Sequence, residues 1–122
     1  MTKLLTIDDE KEFTDFIRSY FELRGFSVFV ANDGEEGVRI AEIEQPEVAL
    51  VDLKMPGKHG DEVLEDMLRI SPKTRTIMIT ASEGYGNARE RLMAMGAFAC
   101  FDKPLVSVKD LENKIKEALL HE

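Results

Sequence analysis

Five short apolar runs alternate with five longer segments whose apolar residues recur at helical spacing, and this alternation constrains the fold more than any other feature. Four of the five helical segments end at a glycine or a proline, residues that commonly terminate helices. Strands that alternate with helices imply right-handed crossovers and a parallel sheet covered on both faces. We predict strands over residues 4–7, 26–31, 48–51, 76–80 and 98–101.

The chain has no segment that looks like a linker, an internal repeat or a low-complexity tract. Its 122 residues are enough for one compact domain with its own core. We therefore predict a single α/β domain of three layers over residues 1–122, with no output domain in this chain. The methionines at positions 67, 78, 93 and 95 are expected to pack in the core.

The charge balance excludes several kinds of partner. Acidic residues number 24 against 16 basic ones, a net charge of −8. Binding to nucleic acid or to an anionic membrane needs a basic surface, so we expect no direct contact with either. No run approaches the roughly 20 apolar residues that span a bilayer. The single cysteine, Cys100, cannot form an internal disulfide, and we expect a protein of the reducing cytoplasm.

Polar residues close four of the five predicted strands. Asp8 and Asp9 follow the first strand, Asp52 the third, Thr80 ends the fourth, and Lys103 follows the fifth. Ligands of open α/β sheets bind outside the carboxyl ends of the strands, where the strand order reverses. With the strand order 2-1-3-4-5, all five side chains converge on that end of the sheet.

This group of residues favours a particular chemistry. Three carboxylates held together repel one another unless a cation compensates, and Mg²⁺ prefers oxygen ligands. The Lys103 ammonium and the Thr80 hydroxyl supply the positive charge and the hydrogen bond that a tetrahedral anion requires. An aspartate can itself be the nucleophile in phosphoryl transfer. The residues therefore predict a magnesium-dependent phospho-aspartate site, although Asp8 and Asp9 taken alone also suit a helix N-terminus.

Four motifs in order carry a resemblance to a known family. They are Asp8-Asp9-Glu10, the run over residues 52–60, Thr80-Ala81 and Lys103-Pro104, with spacings of 43, 28 and 23 residues from Asp9 to Asp52 to Thr80 to Lys103. Over essentially its whole length the sequence resembles the receiver domain of two-component response regulators. The resemblance implies a flavodoxin-like, doubly wound (βα)5 fold with a five-stranded parallel sheet in the order 2-1-3-4-5.

The resemblance also implies how a metal ion and a phosphoryl group are bound. Asp52 would accept the phosphoryl group from a sensor histidine kinase or a histidine phosphotransferase, in a His-to-Asp phosphorelay. Asp9 and Asp52 would ligate Mg²⁺ directly, Asp8 would act through water, and the backbone carbonyl of Lys54 would complete the protein ligands.

The remaining roles concern the switch. Thr80 would hydrogen-bond a phosphoryl oxygen, Lys103 would pair with the phosphoryl group, and the Lys103-Pro104 peptide would be cis. The resemblance implies a phosphorylation-controlled switch that assists its own phosphorylation and dephosphorylation, and not a dedicated enzyme. Its output would be a homodimer or a downstream protein target, bound through the fourth helix, fifth strand and fifth helix. On that face we expect Arg89, Arg91, Met93, Phe98 and Lys109.

One position departs from the family. The residue three before the lysine is usually Tyr or Phe, and here it is Cys100. Phe101 is adjacent, but strand alternation places it on the opposite face of the sheet. We therefore expect the signal to depend more on the loop over residues 82–86.

Three other functions compete with this interpretation. A flavin-binding electron carrier would need an uncharged loop after the first strand, whereas Asp8-Asp9-Glu10-Lys11-Glu12 would repel the flavin phosphate. A phosphatase working through an aspartyl phosphate would need a general acid two residues after Asp52, where Lys54 stands. A receiver-like scaffold that is never phosphorylated would not need the intact set of polar residues.

Overall fold

A computed structural model describes residues 1–81 and 88–120 of the chain. The strands are β1 (Lys3–Ile7), β2 (Ser27–Ala31), β3 (Val48–Val51), β4 (Arg75–Thr80) and β5 (Ala99–Asp102). The helices are α1 (Lys11–Glu22), α2 (Gly34–Glu44), α3 (Gly60–Ile70), α4 (Ala88–Met95) and α5 (Val108–Leu120). All five predicted strands are present, and their bounds differ from the prediction by one residue at most at each end.

The five strands form one parallel sheet in the order β2-β1-β3-β4-β5, which confirms the predicted fold class. Ile7 at the end of β1 pairs with Ala31 on one side and Val51 on the other. Thr80 at the end of β4 pairs with Asp102 of β5. Because the strands end at nearly the same level, the residues that follow them share one edge of the sheet.

Two apolar clusters cover the two faces of the sheet, so the domain has three layers. Helices α2, α3 and α4 pack on one face, with Ala41, Leu64 and Leu92 among their buried residues. Helices α1 and α5 pack on the other through Phe21 and Ile115. This division explains why the strand runs are apolar without alternation, since both faces of the sheet are buried.

The α4 helix differs from the sequence prediction in one respect. Met67 and Met78 are buried in the core and Met95 packs against it, as predicted, but the Met93 side chain is 43% exposed. The buried residues of α4 are Ala88 and Leu92, four positions apart, so a single narrow stripe faces the sheet. Met93 follows Leu92 directly and turns away from that stripe.

Within the described parts of the chain, α5 is the longest helix at 13 residues. None of the helices there combines the length and the apolar composition that crossing a bilayer would require.

Candidate functional site

The carboxyl edge of the sheet brings three of the predicted residues into contact. The ammonium nitrogen Nζ of Lys103 lies 2.6 Å from Asp8 Oδ2 and 3.7 Å from Asp52 Oδ2. All three side chains are almost fully withdrawn from solvent. The site is therefore a buried cluster of two carboxylates around one ammonium group.

The backbone ladder of the parallel sheet positions these residues. The Asp8 N–H donates to Ala31 O at 3.1 Å, and the Asp52 N–H donates to Ile7 O at 3.0 Å. Each bond extends the pairing by one residue beyond the strand, so the residue that follows β1 or β3 is held as firmly as the strand itself. Lys103 is held in the same way, through its N–H and Thr80 O at 3.1 Å.

The loop after Asp52 is anchored against the start of α3. The Gly60 N–H donates to Leu53 O at 2.9 Å, and a Cβ atom at Gly60 would lie 2.3 Å from the carbonyl oxygen of Asp52. A residue with any side chain there would displace the Asp52 backbone, which explains the glycine. Gly57, with φ of +77°, provides the left-handed turn within the same loop.

Glu10 is a site residue to which the sequence reasoning gave no role. Its Oε1 lies 2.6 Å from Lys103 Nζ, and one oxygen each of Asp8, Glu10 and Asp52 lies within 4.8 Å of the others. Its backbone N–H donates to Asp8 Oδ1 at 2.9 Å. The position directly after Asp8-Asp9 was the available signal, but the reach of the side chain toward Lys103 depends on the fold.

Asp9 and Lys54 occupy more open positions. Asp9 is exposed and lies outside the three-carboxylate group, although its charge contributes to raising the pKa of Asp52. Lys54 is also exposed, and its backbone N–H donates to Asp52 Oδ1 at 3.4 Å. Both residues are therefore more accessible to solvent than Asp8 and Asp52.

Thr80, the last residue of β4, places an unpaired hydroxyl near this edge. The residue is 3% exposed, and its Oγ1 has no hydrogen-bond partner within residues 1–81 and 88–120. A buried hydroxyl without a partner costs about 1–3 kcal/mol, so such a group in a native fold calls for an explanation.

The electrostatics of the cluster show a shortage of positive charge. Burial and then the neighbouring charge of Asp8 raise the pKa of Asp52 to about 6, against the opposing effect of Lys103. Burial also raises the pKa of Asp8. Burial alone would lower the pKa of Lys103, but its hydrogen bonds to Asp8 and Glu10 outweigh that effect and raise it. One ammonium thus faces three carboxylates, and a group of oxygen donors in this arrangement could hold a metal ion.

Cys100 and Phe101 lie on opposite faces of the sheet, as the alternation predicts. Cys100 packs against the cluster under α2, α3 and α4, and Phe101 packs against the cluster under α1 and α5. Burial raises the pKa of the free Cys100 thiol, which argues against an activated thiolate. The predicted output loop over residues 82–86 lies outside the described residues.

Two arginines of α4 that we expected on the output face, Arg89 and Arg91, make different contacts. Arg89 donates to Cys100 O at 2.6 Å and pairs with Asp102 at 3.5 Å, so it joins α4 to β5. Arg91 instead pairs with Asp61 at the start of α3, at 3.1 Å, and therefore reaches away from β5.

The Lys103-Pro104 peptide is cis, as predicted.

Comparison with known proteins agrees with this geometry. The sequence profile of the response regulator receiver domain matches residues 4–116. The transcriptional regulatory protein CpxR of Escherichia coli K12 is 34% identical over 106 residues, which make up 85% of this chain and 44% of CpxR. The sporulation initiation phosphotransferase F of Bacillus subtilis 168 is 29% identical, over 96% of this chain and 93% of its own length.

Solved structures give the same result. The crystal structure of a response regulator receiver domain protein from Clostridium thermocellum matches with a TM-score of 0.91 and 31% identity, covering 99% of this chain and 96% of that one. The chain spans about half the length of the CpxR relatives that it matches. With the profile match over nearly the whole chain and the same fold, the protein belongs to the family of response regulator receiver domains.

Proposed function

We propose that Asp52 is a magnesium-dependent phospho-acceptor in a His-to-Asp phosphorelay, and that its phosphorylation switches the conformation of the domain. The observation that carries this proposal is the buried Asp52 carboxylate beside Asp8 and Lys103. On the adjacent strand, the Thr80 hydroxyl has no hydrogen-bond partner among residues 1–81 and 88–120. Such a cluster combines a nucleophile, a fixed positive charge and a spare hydrogen-bond donor.

In the proposed reaction, a carboxylate oxygen of Asp52 attacks the phosphorus of a phosphohistidine on the partner protein. The new O–P bond forms as the P–N bond breaks, and the electron pair of that bond returns to the imidazole nitrogen. Asp52 must be ionised to attack, and its pKa of about 6 leaves it mostly ionised at neutral pH. No further general base is required, because the nucleophile is already deprotonated.

Lys103 and Thr80 would stabilise the product. The Lys103 ammonium is 3.7 Å from Asp52 Oδ2, close enough to pair with a phosphoryl oxygen on that carboxylate. The Thr80 hydroxyl would donate a hydrogen bond to a second phosphoryl oxygen and so gain a partner that it lacks in the described part of the chain. That gain supports a link between phosphorylation and a movement at the end of β4.

The donor set of the site fits a hard divalent cation, and we propose Mg²⁺. Asp9 and Asp52 would ligate it directly, Asp8 would act through water, and the carbonyl of Lys54 would contribute an oxygen. When bound, the ion would supply positive charge to phosphoryl oxygens and offset the repulsion among the carboxylates.

The proposed partners follow from the chemistry of the acceptor. A sensor histidine kinase or a histidine phosphotransferase would supply the phosphoryl group, and a downstream protein or a second copy of the chain would bind the face formed by α4, β5 and α5. We propose that the protein is not a dedicated enzyme. We also propose that it acts in the cytoplasm, where reducing conditions keep a free thiol such as that of Cys100 reduced. The competing function is a receiver-shaped docking module that is never phosphorylated.

Intact-mass measurement after incubation with acetyl phosphate tests the proposal. We expect the wild-type protein to gain one phosphoryl group with Mg²⁺ and none with EDTA, and Asp52→Asn to gain none. The matched control is Asp15→Asn, which removes an exposed aspartate on α1 and should behave as wild type. Failure of the wild-type protein to gain mass with Mg²⁺ would overturn the proposal and leave the docking module.

A further inference from the structure

Glu10 forms an ion pair with Lys103, the residue that the proposed function assigns to the phosphoryl group. We propose that Glu10 is a positioning residue that holds the Lys103 ammonium away from Asp52 and competes with the incoming phosphoryl group for it. This inference rests on the proposed function of Asp52 and assigns a brake on that reaction to a residue outside the proposed magnesium ligands.

The distances show which carboxylates occupy Lys103. Its Nζ is 2.6 Å from both Asp8 Oδ2 and Glu10 Oε1, whereas Asp52 Oδ2 is 3.7 Å away, beyond hydrogen-bond distance. An ammonium group has three N–H donors, and two of them are directed to residues other than the proposed acceptor. The charge of Lys103 is therefore largely engaged before a phosphoryl group arrives.

Of the two close partners, Glu10 is the one that can leave. The Asp8 side chain is 2% exposed and is also fixed by the Glu10 N–H at 2.9 Å, whereas the Glu10 side chain is 64% exposed. An exposed carboxylate exchanges its ion pair for water at little cost, since surface ion pairs contribute only about 0–1 kcal/mol.

The local role of Glu10 does not account for its side chain. Glu10 is the N-cap residue of α1, and its carbonyl accepts the N–H groups of Phe13 and Thr14 at 3.1 Å. Its side chain makes no capping hydrogen bond. Among the described residues, the Glu10 carboxylate contacts Lys103. The start of α1 therefore uses the backbone of Glu10, whereas the side chain binds the lysine of the site.

The charge of Glu10 would oppose phosphorylation in two ways. Its carboxylate lies within the 4.8 Å group that includes Asp8 and Asp52, so it would repel a phosphoryl anion on Asp52. The Glu10 carboxylate also neutralises part of the Lys103 charge that would otherwise stabilise the phosphoryl group. Glu10→Gln keeps the size of the side chain and one acceptor oxygen, and it replaces the negative charge with a neutral amide.

A spectroscopic test needs no phosphodonor. In protein with ¹⁵N-labelled lysine, the Lys103 NζH₃⁺ resonance reports its ion pairs directly, and Lys103→Arg assigns it. We expect Glu10→Gln to shift this resonance and increase the mobility of the ammonium group. Glu12→Gln, which removes another exposed charge two residues further along α1, should leave it unchanged. Identical Lys103 resonances in wild type and Glu10→Gln would overturn the inference.

The kinetic test measures the rate of phosphorylation by acetyl phosphate with Mg²⁺. We expect Glu10→Gln to react roughly two- to fivefold faster than wild type, the range for one partly exposed ion pair, and Glu12→Gln to match wild type. If the wild-type protein is phosphorylated and Glu10→Gln is phosphorylated at the same rate or more slowly, the role of Glu10 is overturned and the proposed function of Asp52 is not. Absence of reaction in every variant would overturn the proposed function together with it.

Discussion

At the scale of single residues, three buried threonine hydroxyls lack hydrogen-bond partners in the described part of the chain, and two of them lie on β4. Thr80 ends the strand at the candidate site, and Thr76 lies four residues earlier. Both residues are almost fully buried, so each hydroxyl loses its hydrogen bonds to water on folding and gains none within the described residues. Of the two, Thr80 is the one that ends β4 at the carboxyl edge of the sheet, where the proposed phosphoryl group would lie.

Replacing Thr80 with valine removes the hydroxyl and keeps the shape of the side chain. We expect the unphosphorylated Thr80→Val variant to be as stable as wild type or more stable by about 1 kcal/mol, because an unpaired buried polar group is lost. Its phosphorylated fraction at fixed acetyl phosphate should fall roughly tenfold, the effect of one hydrogen bond to a charged group. Urea denaturation and intact mass measure the two effects.

Thr76→Val is the matched control for this experiment. It removes an equally buried, unpaired hydroxyl from the same strand at a distance from the site. We expect a similar effect on the free energy of unfolding and no effect on phosphorylation. Equal phosphorylation of the two valine variants would contradict the role given to Thr80.

The pKa of Asp52 predicts a pH-dependent gain in stability for Asp52→Asn. Burial and then the charge of Asp8 raise this pKa from 3.8 to about 6, so the ionised carboxylate disfavours the folded state. Ionisation of Asp52 therefore lowers the free energy of unfolding of the wild-type protein as the pH rises from about 4 through 6. The Asp52→Asn variant has no such ionisation. In metal-free buffer near pH 7.5 we expect Asp52→Asn to be more stable by about 1–3 kcal/mol, with no difference near pH 4. Urea denaturation at both pH values measures this, and a pH-independent difference would contradict it.

Much of the site could be predicted from the sequence, because residues that directly follow parallel strands must share an edge. That rule placed Asp8, Asp52 and Lys103 together. It gave no role to Glu10, because the direction of its side chain depends on how α1 begins. The metal ligands Asp9 and Lys54 remain predictions, since a ligand set is defined by the bound ion.

At the scale of the helices, a buried carboxylate joins α1 to α5. The Glu112 side chain is 4% exposed, and it accepts a hydrogen bond from the Tyr20 hydroxyl at 2.7 Å. Arg24, Lys109 and Lys116 pair with it at 3.2–3.4 Å. The Tyr20 hydrogen bond, followed by those of Lys116 and Lys109, lowers the pKa of Glu112 to about 2 against the effect of burial.

We expect Glu112→Gln to lower the free energy of unfolding by roughly 1–2 kcal/mol at neutral pH. This range is smaller than the full pKa shift implies, because the three cationic partners are more than one third exposed and solvent screens them. A lowered pKa stabilises the fold above about pH 4.5 and loses that effect as the pH falls toward 2. The difference from wild type should therefore shrink across this range, as measured by urea denaturation.

Glu117→Gln on the same helix is the control. Glu117 pairs with Lys114 at 3.0 Å, and its side chain is half exposed, so we expect an effect below about 0.5 kcal/mol. Equal destabilisation by the two glutamine variants would show that the buried ion pairs of Glu112 stabilise the fold no more than an exposed pair does.

The helices also show what periodicity cannot resolve. The spacing of Leu92, Met93 and Met95 predicts a fourth helix correctly. Both methionines were assigned to the core, but Met93 is 43% exposed. Glu112 is the opposite case, since a glutamate on an amphipathic helix is normally solvated and this one is buried. In both cases the outcome depends on the neighbouring element, about which local spacing carries no information.

At the scale of the whole molecule, the net charge of −8 includes a concentration of carboxylates at one edge of the sheet. A ligand that binds only the folded state stabilises it in proportion to the logarithm of its concentration over Kd. We expect Mg²⁺ at about ten times its Kd to raise the free energy of unfolding by about 1.4 kcal/mol, and EDTA to reverse the effect.

General screening must be separated from binding in this experiment. NaCl at matched ionic strength screens the excess negative charge, and Asp52→Asn removes one proposed ligand. We expect a small response to NaCl and a weakened response of Asp52→Asn to Mg²⁺, both measured by urea denaturation. Equal stabilisation of wild type by NaCl and Mg²⁺ would contradict a specific ion site.

The strand order was the global feature on which the sequence interpretation depended, and it is confirmed. Alternating strands and helices fixed the parallel arrangement, because a short chain with right-handed crossovers has few other solutions. The order of the strands itself was inferred through the resemblance, since periodicity does not say which strand lies beside which. The three-dimensional effect of Cys100 on signalling stays a prediction, because the loop expected to respond to it lies outside the described residues.

Mapping the modified residue shows which aspartate accepts the phosphoryl group. Borohydride converts an aspartyl phosphate to homoserine, and trypsin then separates Asp52, the one aspartate of peptide 40–54, from Asp8 and Asp9 in peptide 4–11. After reaction with acetyl phosphate and Mg²⁺, we predict homoserine in peptide 40–54 and unmodified aspartates in peptide 4–11. Homoserine in peptide 4–11, or in neither peptide, would contradict the assignment of Asp52 as the phospho-acceptor.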